Sequence, residues 1–352
     1  MTAKTWAGLD VGVETTSLCV INDAGEILQE ARCPTDLACI HRELRGLRRR
    51  RHSEVGLEAG AATLARGLRT LGYSVTLYET RQLSKFLRVR RNKTDAGDAI
   101  GIAEAGRIGA SLVSKVHLKS LECQLLQSRL TIRRHLVRQR VATVNLLCRQ
   151  IETYGGRIAG PTRRLVLRSR VEAELNRLFG KQEGPVQNEL RKLVAHCEDL
   201  IARQYAIDRE LKRLATETEV CRRFMEIPGV GPLAALTFYA VVGDPDRFTP
   251  STDVGSYLGL TPKLHQSGLS SRSGRISRMG NVAARTLLVQ AAITFMRLGR
   301  TAGTELRSWT VSVEERRGRG RSRIALARKL AVIMVSMWKS GECFVARPAV
   351  ES

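Results

Sequence analysis

Strand and helix signals follow one another in an informative order over the first third of the chain. Three short apolar segments joined by polar turns come first, at residues 6–12, 17–21 and 26–31. A helix, a strand, a helix and a strand are then predicted at residues 37–50, 55–58, 61–71 and 74–78. The first three strands favour an antiparallel meander, and the strand–helix–strand order favours parallel pairing. We therefore predict an α/β domain with a mixed five-stranded sheet of the ribonuclease-H-like type.

The region from about residue 119 to residue 219 is predicted to be helical. Two sets of positions repeat every seven residues there: Leu193, Leu200, Ile207 and Leu214, and, three positions earlier, Leu190, Cys197, Gln204 and Leu211. This spacing predicts a coiled-coil seam with one polar position at Gln204. Gly and Pro at residues 180–185 predict a break between two long helices. Pairing within the chain as an antiparallel hairpin and pairing between chains both remain open.

The last third is predicted to be mostly helical, apart from a polar loop at residues 263–281. Residues 226–235 place glycines in a tight turn before an apolar helix, as in a helix-hairpin-helix unit, whose backbone N–H groups hold a DNA phosphate. An ordinary helix–turn–helix packing element fits the same residues. The predicted domains are 1–116, 117–221 and 222–352.

The chain carries a large excess of positive charge. It has 58 Lys and Arg against 34 Asp and Glu, a net charge of +24, and 43% of its 352 residues are hydrophobic. That hydrophobic content is typical of a protein with a core and not of a disordered basic tail. The excess predicts a polyanionic partner, first of all nucleic acid, because Lys and Arg displace counterions from phosphates. An anionic membrane surface is the alternative.

Basic residues are concentrated in several stretches that we predict to contact nucleic acid. They are Arg48, Arg49, Arg50, Arg88, Arg90, Arg91, Lys93, Arg133, Arg134, Arg138, Arg272, Arg275 and Arg278. A further basic stretch lies at residues 316–329. A solvated surface position is the alternative for any single arginine, but their density indicates a collective role.

Other signals narrow the class of protein. No segment reaches the roughly 18 apolar residues of a membrane span, and residues 1–10 lack the pattern of a secretory signal, so we expect no membrane association and a cytoplasmic location. The eight cysteines form no Cys-x-x-Cys pair and the six histidines show no ligand spacing. We expect reduced thiols and no zinc or redox centre.

Four acidic residues fall where the predicted fold could bring them together. Asp10 ends the first strand, Glu58 ends the fourth, and Asp95 and Asp98 lie one helical turn apart. Ligands gather at the carboxyl ends of strands in an open sheet, and residues three apart share a helix face. Carboxylates this close repel one another unless a cation neutralises them, and Mg²⁺ prefers such oxygen ligands. The pattern predicts a site for metal-assisted phosphoryl transfer.

Each acid alone has another interpretation. The segment Gly-Leu-Asp-Val-Gly around Asp10 is also typical of actin-like sugar and acetate kinases. Asp95 and Asp98 are also favourable at a helix N-terminus, where they complement the helix dipole. The joint placement of all four acids in an otherwise very basic chain favours the metal site.

These acids, together with Lys93-Thr-Asp-Ala-Gly-Asp98, Ile227-Pro-Gly-Val-Gly231, Leu258-Gly-Leu-Thr-Pro262 and Gly274-Arg-Ile-Ser277, carry a resemblance to a known family. The chain resembles the insertion-sequence transposases of the DEDD type, the bridge-RNA-guided recombinases. The likeness covers nearly the whole chain in the family's order: a RuvC-like domain, a coiled coil and a serine-bearing transposase domain.

The resemblance implies that the four acids bind Mg²⁺ and that a serine attacks the DNA phosphodiester to leave a phosphoserine. In this family the serine follows the Leu-Thr-Pro element and precedes a glycine, which here selects Ser267. The residues alone leave the choice open, since Ser270, Ser271, Ser273 and Ser277 lie in the same loop. A loop serine is otherwise an ordinary turn former.

The resemblance also implies partners: donor and target DNA, a structured noncoding RNA that pairs with both, and a homodimer that forms a tetramer during synapsis. Two other functions fit the residues without the resemblance. One is a metal-dependent, structure-specific nuclease, such as a junction resolvase, that uses water as its nucleophile. The other is a basic architectural protein that bends or bridges DNA without cutting it.

Overall fold

The computed structural model describes residues 4–48, 53–89, 94–109, 112–158, 164–180, 184–267 and 270–348. The chain divides into two compact units, Met1–Leu118 and Lys119–Ser352. Within the described ranges, none of the helices combines the length and the apolar character of a membrane span.

In the described part of the first unit, six strands form one mixed sheet. They are β1 (Thr5–Val11), β2 (Thr15–Asn22), β3 (Ile27–Pro34), β4 (Ser53–Glu58), β5 (Ser74–Tyr78) and β6 (Lys115–Val116), in the order β3-β2-β1-β4-β5-β6. The first three form the antiparallel meander, and β4 pairs in parallel with β1 and β5. The mixed sheet is confirmed. The sequence missed β6, because two residues carry no periodic signal.

Helices cover both faces of this sheet. They are α1 (Leu37–Arg48), α2 (Ala62–Thr70), α3 (Thr80–Leu87) and α4 (Asp95–Ile108). One core contains buried residues of β1, β4, α1 and α2, among them Leu9, Leu57, Ile40, Leu44 and Leu68. A second contains Trp6, Cys19, Ile21, Ala99 and Ala103, and so joins the sheet to α4. A sheet covered on both faces explains why consecutive residues are buried in β1, at 5–9, and in β4, at 55–57.

The second unit is largely helical, as predicted. Its long helices are α5 (Leu121–Thr153), α6 (Arg164–Phe179) and α7 (Pro185–Glu217), followed by α8 (Glu219–Glu226), α9 (Pro232–Val242) and α10 (Val254–Tyr257). After a hairpin of β7 (Pro262–Ser267) and β8 (Ser270–Ile276) come α11 (Val282–Arg297), α12 (Glu305–Arg317) and α13 (Arg319–Ser340). The expected polar loop is thus mostly a β-hairpin, whose Ser- and Arg-rich residues lack the apolar alternation of a strand signal.

The predicted seam on α7 is partly correct. Leu190, Cys197 and Leu211 are buried, as expected. Leu200 of the second predicted row is buried too, whereas Leu193, Ile207 and Leu214 of that row are half-buried. The buried residues also include Val194, Ile201 and Ala215, which the heptad count did not predict. The physical reason is that α7 packs against α5, α6 and α9 of the same chain, so its contact face is not that of a helix with one partner.

One core extends through most of the second unit. Its buried residues come from α5 and α7 as well as from the later helices, among them Leu126, Leu211, Phe224, Phe238, Phe295 and Met334. Aromatic edge contacts stabilise it: the rings of Phe224 and Phe238 lie 5.4 Å apart at 87°. This core supports the β7–β8 hairpin through α10 and α11. The predicted domain limits stay predictions.

Candidate carboxylate centre and serine hairpin

Two paired glycines set the position of the acids in the first unit. Gly8 of β1 and Gly56 of β4 are partners in the parallel register. A Cβ on Gly8 would lie 2.0 Å from the carbonyl oxygen of Ala99, and one on Gly56 would lie 3.2 Å from the Ile102 side chain. Helix α4 therefore lies directly on these two strands, because glycine leaves the space that a side chain would fill.

The glycines also fix which way the acids face. Side chains two residues apart in a strand point to the same side of the sheet. Asp10 follows Gly8 and Glu58 follows Gly56 by two positions, so both carboxylates lie on the face that α4 covers. They sit at the carboxyl ends of neighbouring parallel strands, and both are half-buried.

Helix α4 runs antiparallel to β1, which brings its N-terminus to the same end of the sheet. Gly106 contacts Trp6, whereas Ala99 contacts Gly8. From Ala99 back to Asp95 the helix rises about 6 Å, and from Gly8 to Asp10 the strand advances about 7 Å. The first turn of α4 is therefore at the level of Asp10.

The start of α4 is fixed by a capping bond. The Thr94 hydroxyl accepts a 3.0 Å hydrogen bond from the Gly97 N–H. Asp95 and Asp98 lie in the first helical turn, the former exposed and the latter half-buried. Acids in the first turn also interact favourably with the helix dipole. This position therefore agrees with both interpretations of the two acids, the dipole and the metal site.

A cation that the sequence did not predict lies beside this turn. Arg32 of β3 forms an ion pair of 3.7 Å with Asp95, and both side chains are 65% exposed. The same guanidinium donates to the Thr15 hydroxyl at 3.0 Å. Arg32 is paired with Ser17, which in turn is paired with Asp10. Predicting this contact requires the register of β3, β2 and β1, and neighbouring residues in the sequence do not reveal that register.

The donor chemistry of the four acids fits Mg²⁺, since all are hard carboxylate oxygens. Among the residues that the structure describes, no three His, Cys, Asp or Glu side chains are grouped as metal ligands. The four acids therefore start from backbone positions at one end of the sheet, but their carboxylates are not gathered into one group of metal ligands. Their convergence on one cation stays a prediction.

Ser267, the predicted nucleophile, is the last residue of β7 and is paired with Ser270, the first residue of β8. Its side chain, and those of Ser270, Ser271, Arg272 and Ser273, lie outside the described part of the chain. The backbone therefore locates Ser267 at the distal end of a two-stranded hairpin. The choice among the serines stays a prediction.

The base of this hairpin is fixed by unusually close backbone contacts. Gly259 and Gly280 have φ of +69° and +86°. A Cβ on Gly259 would lie 1.9 Å from the Met279 carbonyl oxygen, and one on Gly280 would lie 2.1 Å from the Tyr257 carbonyl oxygen. The chain entering the hairpin and the chain leaving it are consequently in direct contact, and only glycine fits at either point.

A buried arginine holds the same two chain segments. Arg285 of α11 donates through Nη1 to the carbonyl oxygens of Leu258, at 3.0 Å, and Met279, at 3.3 Å. Burial lowers the pKa of its guanidinium, with the nearby charge of Arg278 acting in the same direction. Arg275 and Arg278 are exposed near the hairpin base, so their guanidinium groups are accessible to a phosphate.

The structure gives different settings to the other predicted basic residues. Arg49, Arg50, Arg90, Arg91 and Lys93 lie outside the described residues, as does the side chain of Arg48. Arg88, Arg134 and Arg138 are exposed. Arg133 is instead held between helices, since its Nε donates to Asp208 of α7 at 2.6 Å. The role of these residues in nucleic-acid binding stays a prediction.

The turn at residues 227–231 joins α8 to α9. Ile227 and Val230 are buried in the main core of the second unit. Their burial supports the interpretation of this segment as a packing element. The phosphate-binding interpretation stays a prediction.

Comparisons with known proteins agree on one family. Residues 7–155 match the model of the DEDD-type IS110 transposases, and residues 221–306 match the model described as transposase IS116/IS110/IS902 family. The transposase for insertion sequence element IS1111A from Coxiella burnetii is 29% identical over 352 aligned positions, covering 96% of this chain and 90% of that protein. A putative transposase from Sinorhizobium fredii is 30% identical, covering 82% of this chain and 74% of its own length. A probable family 20 transposase from Pseudomonas aeruginosa is 29% identical over 80% of this chain and 81% of its own length.

Proposed function

The chain belongs to the IS116/IS110/IS902 family of insertion-sequence transposases of the DEDD type, and from this premise we propose that it cuts and rejoins DNA through a phosphoserine on Ser267. The acids proposed to assist are Asp10, Glu58, Asp95 and Asp98. The observation that supports the role of the acids is the parallel register of Gly8 with Gly56 under α4, two residues before Asp10 and Glu58.

The proposed metal is Mg²⁺, held by the four carboxylates. When bound, it would supply a Lewis acid that lowers the pKa of a hydroxyl and stabilises charge on phosphate oxygens. The protein's own contribution is placement, because the strand ends and the first turn of α4 present acids from three segments of the chain. Arg32 beside Asp95 reduces the repulsion among them.

The proposed chemical step conserves one phosphodiester bond. The Ser267 Oγ–P bond forms as the bond from phosphorus to one deoxyribose oxygen breaks, and the serine proton ends on that oxygen. Attack by the freed hydroxyl of another strand then reverses the step and releases the serine. The bond energy is retained in the phosphoserine, so strand exchange needs no ATP.

The residues around the hairpin support this role. Serine is a weak nucleophile and needs both a proton acceptor and cations around the phosphorane. Arg275 and Arg278 are exposed near the hairpin base, and the Arg285 and glycine contacts hold that base in one conformation. The serine and the acids come from different units of the chain, so we propose that the complete site forms only in the assembled complex.

A structured RNA that pairs with donor and target DNA is the proposed source of sequence specificity. This division of labour suits a protein with a net charge of +24, because backbone and shape contacts need cations and base pairing reads the sequence. The proposed assembly is a homodimer that forms a tetramer at synapsis. Access to chromosomal DNA makes the cytoplasm the proposed location.

The test is a reconstituted strand exchange. Purified protein is mixed with RNA transcribed from the flanks of its gene and with labelled donor and target DNA, in Mg²⁺ or in excess chelator. Joined donor–target strands that require both RNA and Mg²⁺ are expected. Hydrolysed ends without joining would favour the nuclease that uses water, and binding without scission would favour an architectural protein.

A further inference from the structure

A half-open cleft in the second unit lies between α12, α13 and the segment 341–347. Its volume is about 440 Å³. Clefts that bind one small organic ligand measure about 300 to 1,000 Å³. The walls include three aromatic residues, Phe295, Trp309 and Phe344, and the side chain of Lys329.

The C-terminal wall of the cleft is held in place at several points. The Phe344 N–H donates to the Glu226 carboxylate at 3.0 Å. The Glu305 N–H donates to the Arg347 carbonyl at 2.9 Å, and Thr304 and Pro348 form a β-bridge. The cleft is therefore preformed, which reduces the entropy cost of binding.

The chemistry of the walls suits a flat aromatic ligand attached to an anion. Lys329 Nζ lies over the Trp309 ring, 5.0 Å from its centre, so it covers one face of the indole and leaves the other face for a stacked base. Glu305 and Glu342 also line the cleft. Carboxylates inside the cleft oppose entry of a phosphate, so the aromatic part of the ligand would enter and its phosphate would remain outside, near Lys329.

Basic residues also lie at the far end of α12 from the cleft, beyond Glu314 and Glu315, with Arg319 ion-paired to Glu314 at 3.9 Å. Four exposed arginines lie at the turn between α12 and α13: Arg316, Arg317, Arg319 and Arg321. Arg316 is seven residues from Trp309 along α12, or about 11 Å. A strand whose base enters the cleft could thus continue along these cations.

We propose that this cleft binds one unpaired nucleobase of a single-stranded segment, stacked on Trp309, with the flanking phosphates on Lys329 and the α12–α13 arginines. The proposal rests on the proposed function in one respect, since it takes nucleic acid to be the substrate. It adds a single-strand site separate from the acids and from the serine hairpin. Unpaired DNA and unpaired RNA share the required chemistry.

The test measures the affinity of the full-length protein for an oligodeoxyadenylate of about 15 nucleotides, for its RNA equivalent, for an abasic strand of equal length and for a DNA duplex. Trp309→Ala is expected to weaken binding of the base-containing single strands by about ten- to a hundred-fold. Binding of the abasic strand and of the duplex should not change. If Trp309→Ala loses more affinity for the DNA strand than for the RNA strand, the base that binds in the cleft comes from DNA. The reverse result assigns it to RNA.

Trp309→Ala could lower affinity merely by destabilising the protein, which a lower unfolding temperature would reveal. Two further variants test the proposal in that case. Trp309→Phe keeps a stacking surface and should lose less affinity, and Lys329→Gln should reduce the salt dependence of binding by about one phosphate contact. Tyr205→Ala, which removes an exposed aromatic side chain on α7, is the matched control.

Unchanged single-strand affinity in Trp309→Ala, equal loss with duplex and single strand, or an unaltered salt slope in Lys329→Gln would each overturn the proposal. Strand exchange by the same preparations separates it from the proposed function. If wild-type protein exchanges strands but Trp309→Ala binds normally, only the cleft assignment fails. If base-dependent binding is lost as expected but wild type never exchanges strands, only the proposed function fails.

Discussion

The α-carbon of Gly8 faces the Ala99 carbonyl so closely that a methyl group on it would lie 2.0 Å from that oxygen. This contact sets the height of α4 over β1 and so the position of Asp95 and Asp98 relative to Asp10. Because both sides of the contact are regular backbone, neither can move without shifting an element that carries an acid.

Gly8→Ala is therefore expected to destabilise the protein by about 1 to 3 kcal/mol through overpacking and to reduce DNA cleavage as well. Urea unfolding measures the first effect. Gly46→Ala is the control, since a Cβ at Gly46 of α1 meets nothing within 4 Å, and alanine there should be neutral or stabilising. Equal stability of the two variants would contradict the account of the contact.

Removing single acids tests the proposed metal site. Mutating a residue that only hydrogen-bonds to a metal ligand typically lowers metal affinity or activity by about 10- to 100-fold. Loss of a direct ligand should cost more, so Asp10→Asn or Asp98→Asn should reduce Mg²⁺-dependent cleavage by about 100-fold or more. Glu30→Gln, which changes an exposed acid in β3 of the same sheet, is the control. Cleavage at the wild-type rate in either aspartate variant would remove that residue from the site.

Arg285 offers a test of the hairpin base. Arg285→Met leaves the buried carbonyl oxygen of Leu258 without its donor, at a cost of about 1 to 3 kcal/mol. We also expect a lower yield of covalent adduct under conditions where the variant is fully folded, because the hairpin is no longer held. Arg297→Met, at the exposed end of the same helix, should affect neither measurement.

Lys119 predicts a specific pH dependence. Burial lowers its pKa to about 8 from an ordinary value of 10.5, with the charge of Arg247 acting in the same direction. Between these values the unfolded chain binds more protons than the folded chain, so this lysine makes stability rise with pH across that window.

Lys119→Met should therefore stabilise the protein below pH 8, by at most about 3 kcal/mol, and this advantage should disappear as the pH approaches 10.5. Buried thiols such as Cys197 and Cys221, whose pKa burial raises, give the opposite slope. Their contributions cancel when variant and wild type are compared at each pH. A constant difference would show that Lys119 does not titrate in this way.

Local sequence predicts the framework of the acid site well, for a physical reason. Short apolar segments define β1 and β4, and the Thr94 cap with its following acids defines the start of α4, so strand ends and helix start are short-range properties. The approach of α4 to the sheet also has a local signature, in the glycines that precede Asp10 and Glu58 by two residues.

What the sequence misses depends on register between distant segments. Arg32 reaches Asp95 only because β3, β2 and β1 align Arg32, Ser17 and Asp10. Arg285 lies on an ordinary apolar helix, and nothing nearby indicates the two carbonyls it binds. The buried face of α7 is wider than the predicted seam because three helices share that surface, and a heptad count assumes a single partner.

The most direct test of the proposed reaction is to map the covalent adduct. Protein, RNA and DNA are incubated in Mg²⁺, denatured, digested with protease and nuclease, and the remaining nucleotide is located by mass spectrometry. We predict a phosphodiester-linked nucleotide on Ser267, absent from Ser267→Ala and retained in Ser270→Ala. Cut DNA without an adduct, or an adduct on a different residue, would contradict the proposed role of Ser267.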